Sequence, residues 1–277
     1  MRARYYYPNL MRFINQDIVT GDISNSNSLN RYTYVEGNPA TMIDPFGLCA
    51  EKISALTDLL INCGWSETKI AAQKISVVDL YNTLLKYDIL SREQICMFLA
   101  QCQYESGGGE YTVEIGDETY FNSLGYTTTT SGCGYIQMSN DYEYQAYAIY
   151  LILENYPELR EDYTYLSPAH HYGKDINNLY NEVKEEAEKR GLNISTFTYA
   201  YESDYRREFI ASFYPWDSAG YYWSLGKELN QAVADGASIN DISTAVKGNS
   251  SANKERKDVY DIVVSEYDKM NFSKIFP

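Results

Sequence analysis

From Glu51 onward the apolar residues recur at helical spacing. Ile53, Leu56, Leu59 and Leu60 begin one amphipathic helix, and Ile70, Ile75, Val78, Leu80, Leu84 and Leu85 mark one or two more. Ser91, with Gln94 three residues later, is a capping-box start. Ile95, Phe98, Leu99 and Cys102 then fall at i, i+3, i+4 and i+7, the inward stripe of a packed helix, and Gly107, Gly108 and Gly109 stop it. Further helices are predicted over Tyr144 to Leu153, Asp175 to Arg190 (Leu179 and Val183 inward), Arg206 to Phe213, Ala219 to Ala234 and Lys254 to Met270. Residues 1–48 lack this period. They read as short strands and turns, Arg4-Tyr-Tyr-Tyr-Pro8, Arg12-Phe-Ile-Asn15 and Leu29 to Val35, punctuated by Gly, Asn, Pro and Asp. The pattern predicts a mostly α chain preceded by a short irregular or β segment, divided into residues 1–48 and 49–277.

Composition narrows the function. The net charge is −15. In residues 1–50 Arg2, Arg4, Arg12 and Arg31 cancel Asp17, Asp22, Glu36 and Asp44, so the whole excess lies further on. Such a surface repels phosphate backbones, and no nucleic-acid partner is expected. It repels anionic wall polymers too, so charge does not separate peptidoglycan from neutral chitin. No apolar run is long enough for a bilayer span. The opening Met-Arg-Ala-Arg-Tyr-Tyr-Tyr-Pro reads as part of a longer protein. With two adjacent histidines, His170 and His171, and five cysteines without a CxxC pair, no metal or cofactor is expected. The 29 tyrosines supply faces that stack on sugars or fill half-buried surfaces.

The chemistry centres on carboxylates. Glu105 sits at a helix C-terminus, whose partial negative charge disfavours ionisation, a placement that suits a general acid. Hydrolysing a glycosidic bond also calls for a second carboxylate to activate water, and the following loop offers Glu110, Glu114, Asp117 and Glu118. A thiol alternative exists: Cys133 between two glycines, with His170 or His171 as base, would suit an amidase or peptidase.

Four ordered segments carry a resemblance: Phe98-Leu-Ala-Gln-Cys-Gln-Tyr-Glu-Ser-Gly-Gly108, Gly132-Cys-Gly-Tyr-Ile-Gln-Met-Ser-Asn140, Ser218-Ala-Gly-Tyr-Tyr-Trp223, and Asp241-Ile-Ser-Thr-Ala-Val-Lys-Gly248 followed by Arg256. Together they resemble the family 19 glycoside hydrolases, chitinases and phage-type endolysins. The resemblance implies a two-lobed lysozyme-like domain, with Glu105 as acid and Glu114, nine residues on, as base; Glu118 is the runner-up. It further implies Gln137 and Ser139 as sugar and water ligands, with Tyr135 and Trp223 as ring-stacking candidates, Trp223 fitting the core better. Tyr104, Glu143, Lys247 and Asn249 depart from the family pattern. The first 48 residues, through Asp44-Pro-Phe-Gly-Leu48, resemble the closing segment of an RHS-repeat core, departing at Tyr7, Met11 and Ile18. That likeness implies a toxin domain after the junction, self-cleavage between Leu48 and Cys49, and Asp17 and Asp22 as candidate cleaving residues. The combined expectation is a secreted antibacterial toxin acting at the target cell wall on peptidoglycan or a chitin-like glycan. Its expected partners are an immunity protein and the rest of the RHS shell.

Overall fold

The computed structural model describes residues 6–7, 12–13, 50–160, 176–202 and 204–270. These are mostly helical. Tyr6–Tyr7 (β1) and Arg12–Phe13 (β2) pair antiparallel, Tyr6 opposite Phe13 and Tyr7 opposite Arg12. The rest of 1–48, the Leu48–Cys49 junction and the two histidines lie outside the described residues.

The helices are α1 (Ala50–Asn62), α2 (Glu67–Ala71), α3 (Val77–Lys86), α4 (Arg92–Ser106), α5 (Glu118–Ser123), α6 (Asp141–Asn155), α7 (Pro157–Arg160), α8 (Ile176–Lys189), α9 (Ser195–Glu202), α10 (Arg206–Phe213), α11 (Pro215–Tyr221), α12 (Leu229–Ala234), α13 (Ile239–Lys247) and α14 (Asn253–Lys269). The α4 helix is the hub. It packs along α14 and against α13 and α12, while α6 gathers α8 and α9, and α11 lies on α3. One hydrophobic cluster joins these elements, running from Leu56 and Leu59 through Phe98 and Leu99 to Trp216, Trp223 and Val263. Among the described residues no helix is long and apolar enough to cross a membrane.

The termini of α4 follow from its sequence. The Ser91 side chain accepts from the Gln94 backbone N–H at 3.1 Å, and the Gln94 side chain accepts from the Ser91 N–H at 3.0 Å. Gly107 at φ +59° turns the chain left-handed at the other end. The predicted continuous helix from Ala219 to Ala234 is broken. The chain passes through a π-helical turn, Tyr222–Gly226, and Glu228 adopts φ +52° before α12 begins. Side chains there bind backbone across the fold: Ser224 Oγ donates to Tyr87 O at 2.8 Å, and Asn230 Nδ2 to the same oxygen at 2.7 Å. These bonds hold the segment against the end of α3 and favour the interruption over an uninterrupted helix.

Gly108 permits a sharper test of the packing. Its φ is +68°, and a Cβ there would lie 2.7 Å from the Gly64 carbonyl oxygen. Gly125 has φ +81° with nothing within 4 Å of such a Cβ. Gly125→Ala is expected to cost only the left-handed backbone penalty, about 1–2 kcal/mol. Gly108→Ala adds a clash with backbone, and its urea-unfolding midpoint is expected to fall clearly below that of Gly125→Ala. Equal midpoints would show that the contact between this loop and Gly64 yields freely.

Candidate active site

The end of α4 presents Glu105 and Gln101 one turn apart on the same face. Arg256, from α14, reaches both: one guanidinium nitrogen donates to Glu105 Oε1 and the other to Gln101 Oε1. Gln101 Nε2 donates in turn to Ser243 Oγ on α13 at 2.9 Å, and that hydroxyl donates to Ile239 O at 2.7 Å. The arginine is 1% exposed whereas the Glu105 side chain is 21% exposed, so the ion pair is anchored inside and open on the carboxylate side. The Tyr104 ring lies against the guanidinium, 4.6 Å from its centroid. Among the described residues no hydrogen bond reaches Glu105 Oε2. One oxygen is therefore fixed by the protein and the other is left for a ligand.

Beyond Glu105, Gly107, Gly108 and Gly109 all have positive φ. Lys69 holds this loop, donating to Gly109 O at 3.2 Å and Glu110 O at 2.8 Å and pairing with the Glu110 carboxylate at 2.9 Å. Hydrogen bonds from Lys69 and Ser66 hold the Glu110 carboxyl below its ordinary value, and Glu110 is a solvated strap of the loop. Asp117 caps α5, accepting from Tyr120 N–H at 2.8 Å, and Glu118 is exposed in its first turn.

Glu114 is held differently. Its Oε2 accepts from the Gly132 N–H at 2.9 Å, its own N–H donates to Gly132 O at 2.9 Å, and the Tyr120 hydroxyl stands 3.5 Å from Oε1. Arg207 of α10 steadies the same loop, bonding Ser131 Oγ and, at 3.4 Å, Glu114 O. Gln137 lies within this group at φ +55°. Its amide nitrogen donates to Tyr111 O at 3.2 Å, while its buried Oε1 finds no donor among the described residues. Gly132 makes room for it, because a Cβ there would lie 2.6 Å from that oxygen. Tyr111 in turn lies over Gly107, within 3.3 Å of where a Cβ would sit. The end of α4, the Glu114 loop and Gln137 thus form one connected surface. Ser139 is half-buried and makes no hydrogen bond among the described residues.

Two sequence expectations change here. Tyr135 is not a stacking wall: it is 1% exposed, with its ring 4.1 Å from Trp216 and 5.3 Å from Trp65 between centroids. The turn between two glycines points this ring into an aromatic core. Cys133, the thiol alternative, is fully buried, and burial pushes its thiol up to about 12. Trp223 is core as expected, fully buried, its indole N–H donating to Asn230 Oδ1 at 2.8 Å.

Sequence reasoning missed a buried carboxylate. The Glu143 side chain, 8% exposed, pairs with Lys227 at 3.1 Å. The Tyr222 hydroxyl donates to Val246 O at 3.0 Å. Its phenol is raised by burial first and then by the charges of Glu143 and Glu105, which places it in the field of both. The sequence signalled this only as a departure from a family pattern at position 143.

No family model matches the chain. Neither a curated protein nor a solved structure gives a significant match. The class fixed by the fold is a mostly α protein. Its candidate site is a carboxylate at a helix end, locked by an arginine from a distant helix.

Proposed function

We propose that residues 49–277 are a glycoside hydrolase domain of a secreted antibacterial toxin, cutting β-1,4 bonds of peptidoglycan or a chitin-like amino-sugar polymer. The observation that carries this reading is Glu105, fixed through one oxygen by buried Arg256 and unbonded at the other. Glu105 donates a proton to the leaving oxygen. Glu114, whose carboxylate is oriented by the Gly132 N–H, activates the water. Half-buried Gln137 binds sugar, and half-buried Ser139 helps to hold the water. The domain is lysozyme-like in plan, acts at the wall of a target cell and is neutralised in the producer by an immunity protein. Digestion of labelled peptidoglycan by wild type, Glu105→Gln and Cys133→Ser tests the reading. Loss in the first variant with retention in the second supports it; the reverse pattern installs the thiol chemistry instead.

The first 48 residues belong, on this proposal, to the end of an RHS shell. The full-length protein is expected to release a fragment beginning at Cys49, which N-terminal sequencing of the mature toxin reads directly. An uncut chain within an intact shell would count against the junction.

A further inference from the structure

A concavity lies away from Glu105. It is a cleft of about 850 Å³ between α3, the C-terminal end of α6 and the corner joining α10 to α11. Its volume falls in the range of ligand sites, about 300–1,000 Å³. Glu105 does not line it.

Three features of the cleft point to one ligand chemistry. Its mouth is aromatic: Phe213 is 70% exposed beside Tyr214, and Phe209, 5.3 Å from Phe213, continues the strip to Tyr199, itself 55% exposed. Exposed rings gathered in this way mark a binding surface. Its floor carries acceptors and amides, with Asp217, Glu154, Asn82 and Asn155 in the lining. The acids are largely neutralised from within. Lys86 stands 2.7 Å from Asp217 and 3.8 Å from Glu154, and Arg160 also pairs with Glu154. Lys86 lies 5.0 Å from the Tyr87 and Tyr150 ring centroids, so this ammonium is tied down and not offered to an anion. With both cations held by the carboxylates, an anion finds no unpaired charge among these pairs, and a lipid tail meets charged side chains. Hydroxyl donors meet acceptors, and a ring with an apolar face meets Phe213 and Tyr214.

We propose that this cleft is a second, non-catalytic binding site for a neutral amino-sugar oligosaccharide, which holds the domain on a glycan polymer while cleavage proceeds elsewhere. The amino-sugar assignment rests on the proposed function; binding in the cleft itself is independent of the catalytic role of Glu105.

The test uses the full chain carrying Glu105→Gln, titrated with N-acetylglucosamine tetramer and followed by residue-resolved NMR. Saturable shifts at residues 82–86, 154–155 and 213–217 are expected, and Phe213→Ala is expected to weaken that binding about tenfold while Phe213→Trp retains it. In the chain with Glu105 intact, Phe213→Ala is expected to leave cleavage of a short soluble oligosaccharide unchanged and to slow digestion of the insoluble polymer. Shifts confined to Tyr104, Tyr111 and Gln137, or binding indifferent to Phe213→Ala, would overturn the second site. A wall stem peptide that shifts the cleft residues where the tetramer does not would overturn the saccharide assignment. Binding in the cleft by a chain that cuts no glycan would leave this inference standing and remove the glycosidase reading instead.

Discussion

Glu105→Gln is expected to lower peptidoglycan cleavage by about 10²–10⁴-fold, the usual contribution of one general acid or base. Glutamine keeps the length and shape of glutamate and still offers an oxygen to Arg256, but it has no proton to give. Arg256 is 1% exposed and loses its counter-charge, so some stability goes with the activity, about 1–2 kcal/mol against roughly 3–5 kcal/mol for breaking a fully buried pair. The partial exposure of Glu105 accounts for the smaller figure. Far-UV circular dichroism and a urea midpoint separate this modest loss from unfolding. Glu114→Gln is expected to cost a comparable factor if the water is activated there, and wild-type products are expected to carry an inverted anomeric centre. Inversion goes with a carboxyl separation of about 6.5–9.5 Å. Full activity in Glu105→Gln would end the proposal.

Alkali is expected to unfold the protein steeply. Cys63, Cys96 and Cys133 are 4%, 0% and 0% exposed, and burial raises each thiol from an ordinary 9.0 to about 12. In the unfolded chain these thiols ionise near pH 9, whereas in the folded protein they hold their protons. Between pH 9 and 12 the unfolded state therefore binds fewer protons, and stability falls as pH rises. Each thiol contributes about 1.4 kcal/mol per pH unit, roughly 4 kcal/mol for the three, enough to consume an ordinary stability of about 5–15 kcal/mol within that window. Buried Tyr87, Tyr144 and Tyr147, also raised by burial, extend the loss at its upper end. Urea midpoints from pH 8 to 11 measure the slope. Replacing the three cysteines and Cys102, whose thiol burial also raises, by alanine is expected to flatten it below pH 10, and an unchanged slope would show that the thiols are not its source.

Much of α4 is legible in the sequence because its signals are local. Ser91, Gln94 and Gly107 set the limits of α4 through bonds spanning a few residues. The interruption after Tyr221 is not legible, because the oxygen that binds Ser224 and Asn230 belongs to Tyr87, more than a hundred residues away. Tyr135 shows the same limit from the side of packing. A Gly-x-Gly turn can aim its next side chain inward or outward, and only the meeting of Trp65 and Trp216 settles the direction. Arg256 could be picked out as a residue of interest, but not as the partner of Gln101 as well as Glu105. The burial of Glu143 against Lys227 left no periodic or spacing signal at all.

The position of Arg256 has a consequence in time. It lies 151 residues after Glu105, and the helix that carries it is the last element described. A ribosome making this chain completes α4 and its glycine turn long before it adds the arginine. Until residue 256 has emerged and α14 has docked, nothing fixes the carboxylate. Any nascent or clipped chain that stops short of α14 carries Glu105 without its lock. The order of synthesis thus delays assembly of the site until nearly all of the described protein exists, which on the proposed function would protect a cell making an enzyme against its own kind of wall.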